Sequence, residues 1–553
     1  MGGTNIDGVV IEEGRIIKTI KKATDKENLF DTIYSTLKEL LVDLDKSKIK
    51  RINLSTTVST NAIVEGRTTP VGMVIQPGPG MVYDNLACGE DNAFISGYID
   101  HRGNVVESLD AEEIKDIAKR FKEDGIQACG AVTKFSTRNP KDENAIKDIL
   151  QDYFPVVTMG HTMSGKLNFP RRVYTSYLNS AVHKTFNDFA INLKKSIEEE
   201  GIDAPLYILK ADGGTMTIEL AQEKPVETIL SGPAASFMGI SALLPTDKDA
   251  ILLDVGGTTT DIFFLADGVP LFEPLGIKID KYNTLVRSIY SVSIGIGGDS
   301  SIEVEDGELL IGPRRAGQPY ALGGPKPTPT DAMITLGLIS YGEEDREKAD
   351  ESMEILGGKL DLSIIETAEL VLETMANIIK ENVDGLLNKI NSKPVYTIKE
   401  LLDGKKIQAK LINIIGGPAE ALAPILENTM KLPCYYPDDY LVANAIGAAL
   451  ARPTMEITMH VDTSKGIISV PELNIYDKAS PNFTLNMAKE TAIELVKEEA
   501  ESMGSSSDNI DAEITEESSF NMVRGYRTLG KDIRVKAQIK PGLIQELRSD
   551  NNA

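Results

Sequence analysis

Cysteine and histidine are scarce in this 553-residue chain: Cys88, Cys129 and Cys434 stand alone without a C-x-x-C pair, and His101, His161, His183 and His460 are scattered. Isolated thiols in odd number supply neither a disulfide framework nor a zinc knuckle. They are expected to be buried apolar side chains in a reducing compartment. The histidines fall at no metal-ligand spacing and receive no role. The sequence also lacks an apolar run long enough to span a bilayer, and its N-terminus lacks a basic-then-apolar signal pattern, so a cytoplasmic protein is expected. Positive charge is the minority: 58 Lys+Arg stand against 83 Asp+Glu, a net charge of −25 spread along the chain. That excess argues against nucleic acid or an anionic membrane as partner.

One phrase occurs twice, as Gly2-Gly3-Thr4-Asn5-Ile6-Asp7 and Gly256-Gly257-Thr258-Thr259-Thr260-Asp261, each running into apolar residues of strand character. Paired glycines let the backbone turn tightly and lie close to a ligand. Adjacent N–H groups and hydroxyls can then hold phosphate oxygens, and the carboxylate can orient Mg²⁺ or water. Two copies half a chain apart read as two jaws on one nucleotide. Asp254 precedes the second pair and Asp261 follows it, so both can flank the hairpin and suit a hard cation with oxygen ligands; Asp261 as a local turn former is the alternative. A phosphate hairpin expects an incoming strand before its glycines, whereas Met1 directly precedes Gly2.

The length requires two or three domains. A hairpin near the start is followed by a helix-like stretch from Lys26 to Leu44, then a short strand at Ile52-Asn53-Leu54 and the hydroxyl-rich Ser55 to Ala62. Alternating helix and strand, including Ala111 to Asp124 and Ala128 to Phe135, continue to about residue 157 as a βα pattern around a mixed sheet. A long amphipathic helix from about Val173 to Glu200 leads into a second domain. There the strand Ile251 to Val255, a helix from Ser363 to Ile390 and the strand Lys410 to Ile415 are predicted, with a small-residue helix at Ala443 to Ala451 suited to close packing. From Thr454 onward, alternating strands and a Thr484 to Met503 helix read as a C-terminal α+β domain. The expected boundaries are 1–172, 173–453 and 454–553.

Four glycine clusters stand in order: the two hairpins, then Gly295-Ile296-Gly297-Gly298-Asp299-Ser300, then Gly416-Gly417-Pro418-Ala419 at a strand end. One such cluster is weak evidence, since Gly-Gly ends many strands. The ordered set resembles the actin-like ATPase superfamily, in which such segments are phosphate-1, phosphate-2, a nucleotide loop and an adenosine motif. The fold this implies is α/β, with two actin-like (ribonuclease H-like) ATPase domains around a nucleotide cleft plus the C-terminal α+β domain.

Within that superfamily, Ser55 to Glu65 resembles the Gly-Thr-Thr-x-x-Thr-Asn-Ala-x-x-Glu signature of the hydantoinase A/5-oxoprolinase family, with Ser55 in place of its glycine. Tyr98-Ile99-Asp100-His101-Arg102-Gly103, Ser231-Gly232-Pro233-Ala234 and Thr328-Pro329-Thr330-Asp331-Ala332 resemble further segments of the same family, and the likeness covers roughly residues 1–453. Departures occur at Ser291-Val292-Ser293, where members often carry His, and at Gln318 to Gly323, where they often carry Gly-Pro-x-Cys-Tyr-Gly, so no metal or thiol role is carried over there.

The resemblance implies ATP and Mg²⁺ as cofactors and activation of a cyclic amide or ketone carbonyl by phosphorylation, followed by hydrolysis or carboxylation. Gly2, Gly3, Thr4, Gly256, Gly257, Thr258 and Thr259 would hold phosphates. Asp7 and Asp254 are the candidate catalytic residues, with Asp7, Asp254 and Asp261 toward metal, and Gly297, Gly298, Asp299, Gly416 and Gly417 would line ribose and adenine. Thr57, Thr60 and Asn61 suit a polar carbonyl substrate, with helix capping as the alternative. Arg171 and Arg172 are read as solvated charges. A hydantoinase B-type partner subunit and an oligomer are expected. An ATP-driven switch acting on a partner protein and a small-molecule kinase remain the alternatives.

Overall fold

The computed structural model describes residues 5–23, 29–342, 344–392, 406–504 and 510–548. The first phosphate hairpin's Gly2, Gly3 and Thr4 lie outside the described residues. The antiparallel pair Asn5–Glu12 and Arg15–Ala23 opens the first lobe as a two-stranded sheet beside the helix Leu29–Leu40. Strand Ile52–Leu54 runs parallel to Leu206–Leu209, which pairs in turn with Thr215–Thr217. This sheet joins residues from both sides of the boundary expected at 172/173.

Between these strands the chain builds a second sheet in the order Asp91–Phe94, Val71–Gln76, Ala128–Thr133, Val157–Met159. Every pairing in it is parallel rather than mixed. Helical crossovers such as Ala111–Glu123 and Lys141–Leu150 return the chain to the same end before each new strand, which imposes one direction. Two of its strands, Val71–Gln76 and Ala128–Thr133, are buried along their whole length, as expected for a sheet covered on both faces. One cover is the helix Phe169–Glu199, opened by Asn168, whose side chain accepts from the Arg171 N–H, and by Pro170 in the first turn.

The second lobe carries a continuous sheet, Val269–Pro270, Thr260–Ala266, Ala250–Val255, Leu411–Ile415, Cys434–Tyr435, with Ser291–Ile294 also paired to Thr260–Ala266. One face packs on Ile364–Asn391 and Ala419–Met430 through Val371, Leu372, Met375, Leu422 and Leu426. The other receives Ser231–Leu243 and Ala443–Leu450, which meet backbone to backbone. A Cβ on Gly239 would stand 2.1 Å from the Ala443 carbonyl oxygen, and one on Gly447 would stand 2.1 Å from that of Ala235. The small-residue helix is therefore small because its neighbour leaves no room.

The C-terminal domain is an antiparallel sheet, Ile475–Lys478, Ile467–Val470, Glu456–Asp462, Arg527–Ile539, Ala512–Arg524. Helix Leu485–Ser502 covers it with Ala488, Ala492, Val496 and Ala500, one buried residue per turn. No helix among the described residues is long and apolar enough to cross a membrane.

Three sequence expectations are corrected. Arg172 is not solvated: it is fully buried and donates to the Lys166, Thr133 and Lys134 carbonyl oxygens, with Glu143 supplying the opposite charge. Arg171 likewise donates to the Leu275, Gly276 and Thr284 carbonyl oxygens, tying the long helix to the loop beyond the second hairpin. Cys88 and Cys129 are buried, whereas Cys434 is only half-buried because its strand pairs on a single side, with Leu411–Ile415.

Candidate functional site

The second-lobe hairpin is built by strands Ala250–Val255 and Thr260–Ala266, whose register sets Asp254 opposite Asp261. Its turn closes with the Gly256 N–H donating to the Thr259 carbonyl at 2.9 Å. The 295–300 loop docks directly on it: Gly298 N–H donates to the Gly256 carbonyl at 2.9 Å and Asp299 N–H to the Gly257 carbonyl at 2.6 Å. A Cβ on Gly297 would stand 2.5 Å from the Gly256 carbonyl oxygen, too close for any side chain. Gly416 has φ +95°, and its Cβ would stand 2.2 Å from the Val255 carbonyl oxygen. Both the left-handed backbone and the contact demand glycine there. Gly417, by contrast, faces open space. Three of the four glycine clusters thus converge on one spot, with Gly256, Gly257 and Thr258 partly exposed and Thr259 exposed.

Charge around this spot is arranged by residues that the sequence pattern did not single out. Ser236, on Ser231–Leu243, donates its hydroxyl proton to Asp254 Oδ2 at 2.6 Å, and Asn444, on Ala443–Leu450, is a second hydrogen-bond partner of Asp254. Burial still raises the Asp254 pKa, with the Asp7 charge adding to the rise while Ser236, Asn444 and Lys21 oppose it. Asp261 is pushed up to about 6, by burial first and then by the Asp254 charge, against a hydrogen bond from Ser293. Ser293 is one of the positions where the chain departs from the family's histidine. Asp299 pairs with Arg315 at 2.8 Å and accepts from the Thr330 hydroxyl at 3.3 Å. Thr328 and Asp331 form a capping box that opens Pro329–Thr335, and the same Asp331 carboxylate accepts the Tyr320 and Ala321 N–H groups. The Thr-Pro-Thr-Asp-Ala segment therefore anchors the wall beside the glycine loop.

From the first lobe, Asp7 reaches this region paired with Lys21 at 3.2 Å, and Lys21 also donates to the Leu441 carbonyl of the second lobe at 2.8 Å. Asp7, Lys21 and Asp254 are thereby within electrostatic reach of one another. Two partly exposed carboxylates facing each other across a hairpin suit a hard divalent cation that keeps water and phosphate oxygens as its other ligands. Among the described residues no group of three or more His, Cys, Asp or Glu side chains gathers to hold a metal ion by itself.

The hydroxyl-rich segment sits across from these groups. Ser231 Oγ donates to the Thr56 carbonyl at 3.0 Å, Ser59 and Thr228 hydroxyls meet at 2.9 Å, and Thr60 Oγ1 accepts the Leu230 N–H at 2.9 Å. Leu230, at φ 56°, is a left-handed non-glycine residue held by these bonds at the entry of Ser231–Leu243. The capping alternative fails for Thr57, which makes no side-chain cap on Val58–Val64 and instead accepts from Asn61 Nδ2 at 3.2 Å. Thr57 Cγ2 is 3.8 Å from where a Gly232 Cβ would be, beside the start of the helix that carries Ser236. Thr60 spends its oxygen on structure, whereas Thr57 and Asn61 remain half-buried, Thr57 beside the Gly232 end of Ser231–Leu243.

Residues 172–457 match the hydantoinase/oxoprolinase family, and residues 1–154 match the hydantoinase/oxoprolinase N-terminal region. The chain belongs to the hydantoinase/oxoprolinase family. It is 28% identical to the acetophenone carboxylase gamma subunit of Aromatoleum aromaticum over 316 residues, covering 52% of this chain and 42% of that protein. Identity to the caprolactamase subunit alpha of Pseudomonas jessenii is 26% over 407 residues, covering 67% and 56%. The chain spans about half the length of the curated relatives it matches. Among solved structures, the ATP-dependent caprolactamase from Pseudomonas jessenii aligns with TM-score 0.68 at 18% identity, and nucleotide-free acetone carboxylase with TM-score 0.68 at 15%. Each alignment covers 98% of this chain and 86% of the other. The expected α/β fold class stands, since the chain shares its fold with these two solved structures over 98% of its length.

Proposed function

We propose that this member of the hydantoinase/oxoprolinase family uses ATP to phosphorylate the carbonyl oxygen of a cyclic amide, which is then hydrolysed. The observation that carries the reading is the convergence of the Gly256, Gly297 and Gly416 clusters beside Asp254, with the Thr57 segment pinned against the same Ser231–Leu243 helix that binds Asp254. The relatives support it, being named for a caprolactamase and for ketone carboxylases.

An amide carbonyl is a poor electrophile because nitrogen donates into it. In the proposed step its oxygen attacks the terminal phosphorus of ATP, an O–P bond forms, the bond to the ADP oxygen breaks and ADP departs. Water then adds to the activated carbon with loss of a proton, the ring nitrogen takes up a proton as the C–N bond opens to leave an acyl phosphate, and a second water attacks the acyl carbon with loss of a proton so that phosphate leaves with the original carbonyl oxygen. The protein's part is positioning and charge. Backbone N–H groups of the 256–259 turn hold phosphate oxygens, Thr57 and Asn61 orient the carbonyl, and Asp254, held by Ser236 and Asn444, takes the proton from water. Mg²⁺ bound at Asp254 and Asp261, with Asp7 opposite, would neutralise phosphate charge.

With a ketone in place of the amide, the same phosphorylation gives an enol phosphate for a carboxylating partner, and a hydantoinase B-type subunit in an oligomer fits either chemistry. Phosphate release from Mg·ATP by the purified chain, with and without a panel of lactams and ketones, tests the reading. Release stimulated by a lactam and lost in Asp254→Asn is the expected result. Tight ATP binding with no stimulation by any carbonyl compound, even after addition of a partner subunit, would remove it in favour of an ATP-driven switch.

A further inference from the structure

A cavity of about 90 Å³ lies at the junction of the Lys210–Gly214 turn with the C-terminal domain, and shares no residue with the nucleotide cleft. Charged side chains around it include Lys210, Asp212, Lys224, Glu227, Arg287 and Glu456. Most of these charges are already matched. Asp212 accepts the Gly214 N–H and the Thr454 hydroxyl and sits 3.4 Å from Lys210, while Glu456 pairs with Lys536 at 2.9 Å. Glu472, also in the wall, accepts the Gly165 and Thr458 N–H groups, and Lys224 donates to the Glu472 carbonyl.

Arg287 is the exception. Its guanidinium stacks on the Phe272 ring at 4.3 Å and stands 3.8 Å from Asp212 and 4.0 Å from Glu456, beyond hydrogen-bond reach of both. Its Nη1 is buried without a hydrogen-bond partner, and the side chain is only 16% exposed. Leaving a buried guanidinium donor unsatisfied is costly, so a cation held this way points to an acceptor in the cavity. Burial holds Glu227 and Glu472 above the usual carboxylate range, whereas the neighbouring cations hold Asp212 and Glu456 below it despite their burial.

We propose that this cavity binds one small planar oxyanion of the carboxylate class, gripped by Arg287 with Lys210 beside it. A guanidinium fork matches two oxygens on one carbon better than it matches any other common anion geometry. The volume, smaller than the roughly 150 Å³ of a cavity that admits benzene, suits formate, acetate or bicarbonate and is too small for a nucleotide. The proposal stands independently of the chemistry assigned to the cleft. Its anion has two chemical sources, an organic carboxylate or bicarbonate, sharing the same O–C–O plane.

Calorimetric titration of the purified full chain with formate, acetate and bicarbonate, and with inorganic phosphate as a tetrahedral control, tests it. One saturable site per chain for at least one planar anion and none for phosphate is expected, and preference for the organic acids or for bicarbonate identifies the source. Arg287→Lys keeps the charge but loses the fork, and should weaken binding by about tenfold or more. Asp212→Asn removes a competing negative charge and should tighten it, an opposite change that misfolding does not imitate. ADP binding at the cleft should be the same in both variants. The absence of saturable planar-anion binding, or equal affinity in wild type and Arg287→Lys, would mean that water alone fills the cavity and would overturn the proposal.

Discussion

The two lobes offer the cleft carboxylates of different kinds. Asp254 sits on a central strand paired on both sides, with Thr260–Ala266 and with Leu411–Ile415; the 295–300 loop locks against its hairpin through backbone hydrogen bonds, and Gly416 packs closely on Val255. Asp7 sits on a two-stranded sheet placed by its neighbours: Val9, Ile11 and Ile16 pack against Val442, Ile446 and Leu450, Lys18 donates to the Glu39 and Val42 carbonyls, and Lys21 to that of Leu441. The second lobe thus holds its half of the site by itself, while the first lobe's half is set by contact with the second. Asn53 strengthens that contact by donating to the Ala448, Ala449 and Ala451 carbonyls at the end of Ala443–Leu450.

The contrast breaks most visibly at Asp254. Asp254→Asn should lower ATP turnover by about 10²–10³-fold with ADP binding retained, by analogy with loss of one preorganised catalytic group; steady-state kinetics and calorimetry check both halves. Gly416→Ala comes next. Its Cβ would meet the Val255 carbonyl oxygen at 2.2 Å, so the 416–417 loop must move off the hairpin. A loss of about 1–3 kcal/mol in urea unfolding, together with nucleotide affinity weakened about tenfold, is expected. Asp7→Asn should cost less than Asp254→Asn, roughly tenfold, because its charge is already shared with Lys21. Equal losses for Asp7 and Asp254 would break the comparison.

Acid sharpens it further. Asp261 holds its proton up to about 6 in the folded protein against an ordinary value of 3.8. A raised carboxylate pKa favours the folded state while the group is protonated, and that contribution fades as pH rises from about 4 through about 6. Turnover runs the other way if the ionised pair is the working form, with an acid limb near pH 6. In Asp261→Asn the like charge beside Asp254 is gone, so any residual turnover should keep its rate to lower pH. Thr57→Val should have the smallest effect, raising the KM of the carbonyl substrate several-fold with KM for ATP unchanged.

How much of this was legible in the sequence depends on what each residue answers to. Gly297 and Gly416 were legible because backbone approach leaves no alternative to glycine, so geometry is written directly in residue type. Ser236 and Asn444 were not, since a serine five residues into Ser231–Leu243 and one asparagine in a small-residue helix acquire meaning only when two helices pack closely enough to face Asp254. A polar residue interrupting Ala443–Leu450 was the available signal. Arg172 misled because adjacent arginines usually face solvent, whereas here three carbonyl oxygens accept from the buried guanidinium and Glu143 supplies the opposite charge. The pairing of Ile52–Leu54 with Leu206–Leu209 was hidden by the long insertion between them, which no local pattern spans.

The central claim is that the cleft transfers phosphate to a carbonyl oxygen. A single turnover with Mg·ATP and a lactam labelled with oxygen-18 at its carbonyl, read by phosphorus NMR of the released phosphate, tests it most directly. Oxygen-18 in the phosphate, seen as an isotope-shifted line and absent with Asp254→Asn, is the predicted result. Unlabelled phosphate together with full retention of the label in the ring-opened product would contradict it, because the carbonyl oxygen would then never have met phosphorus.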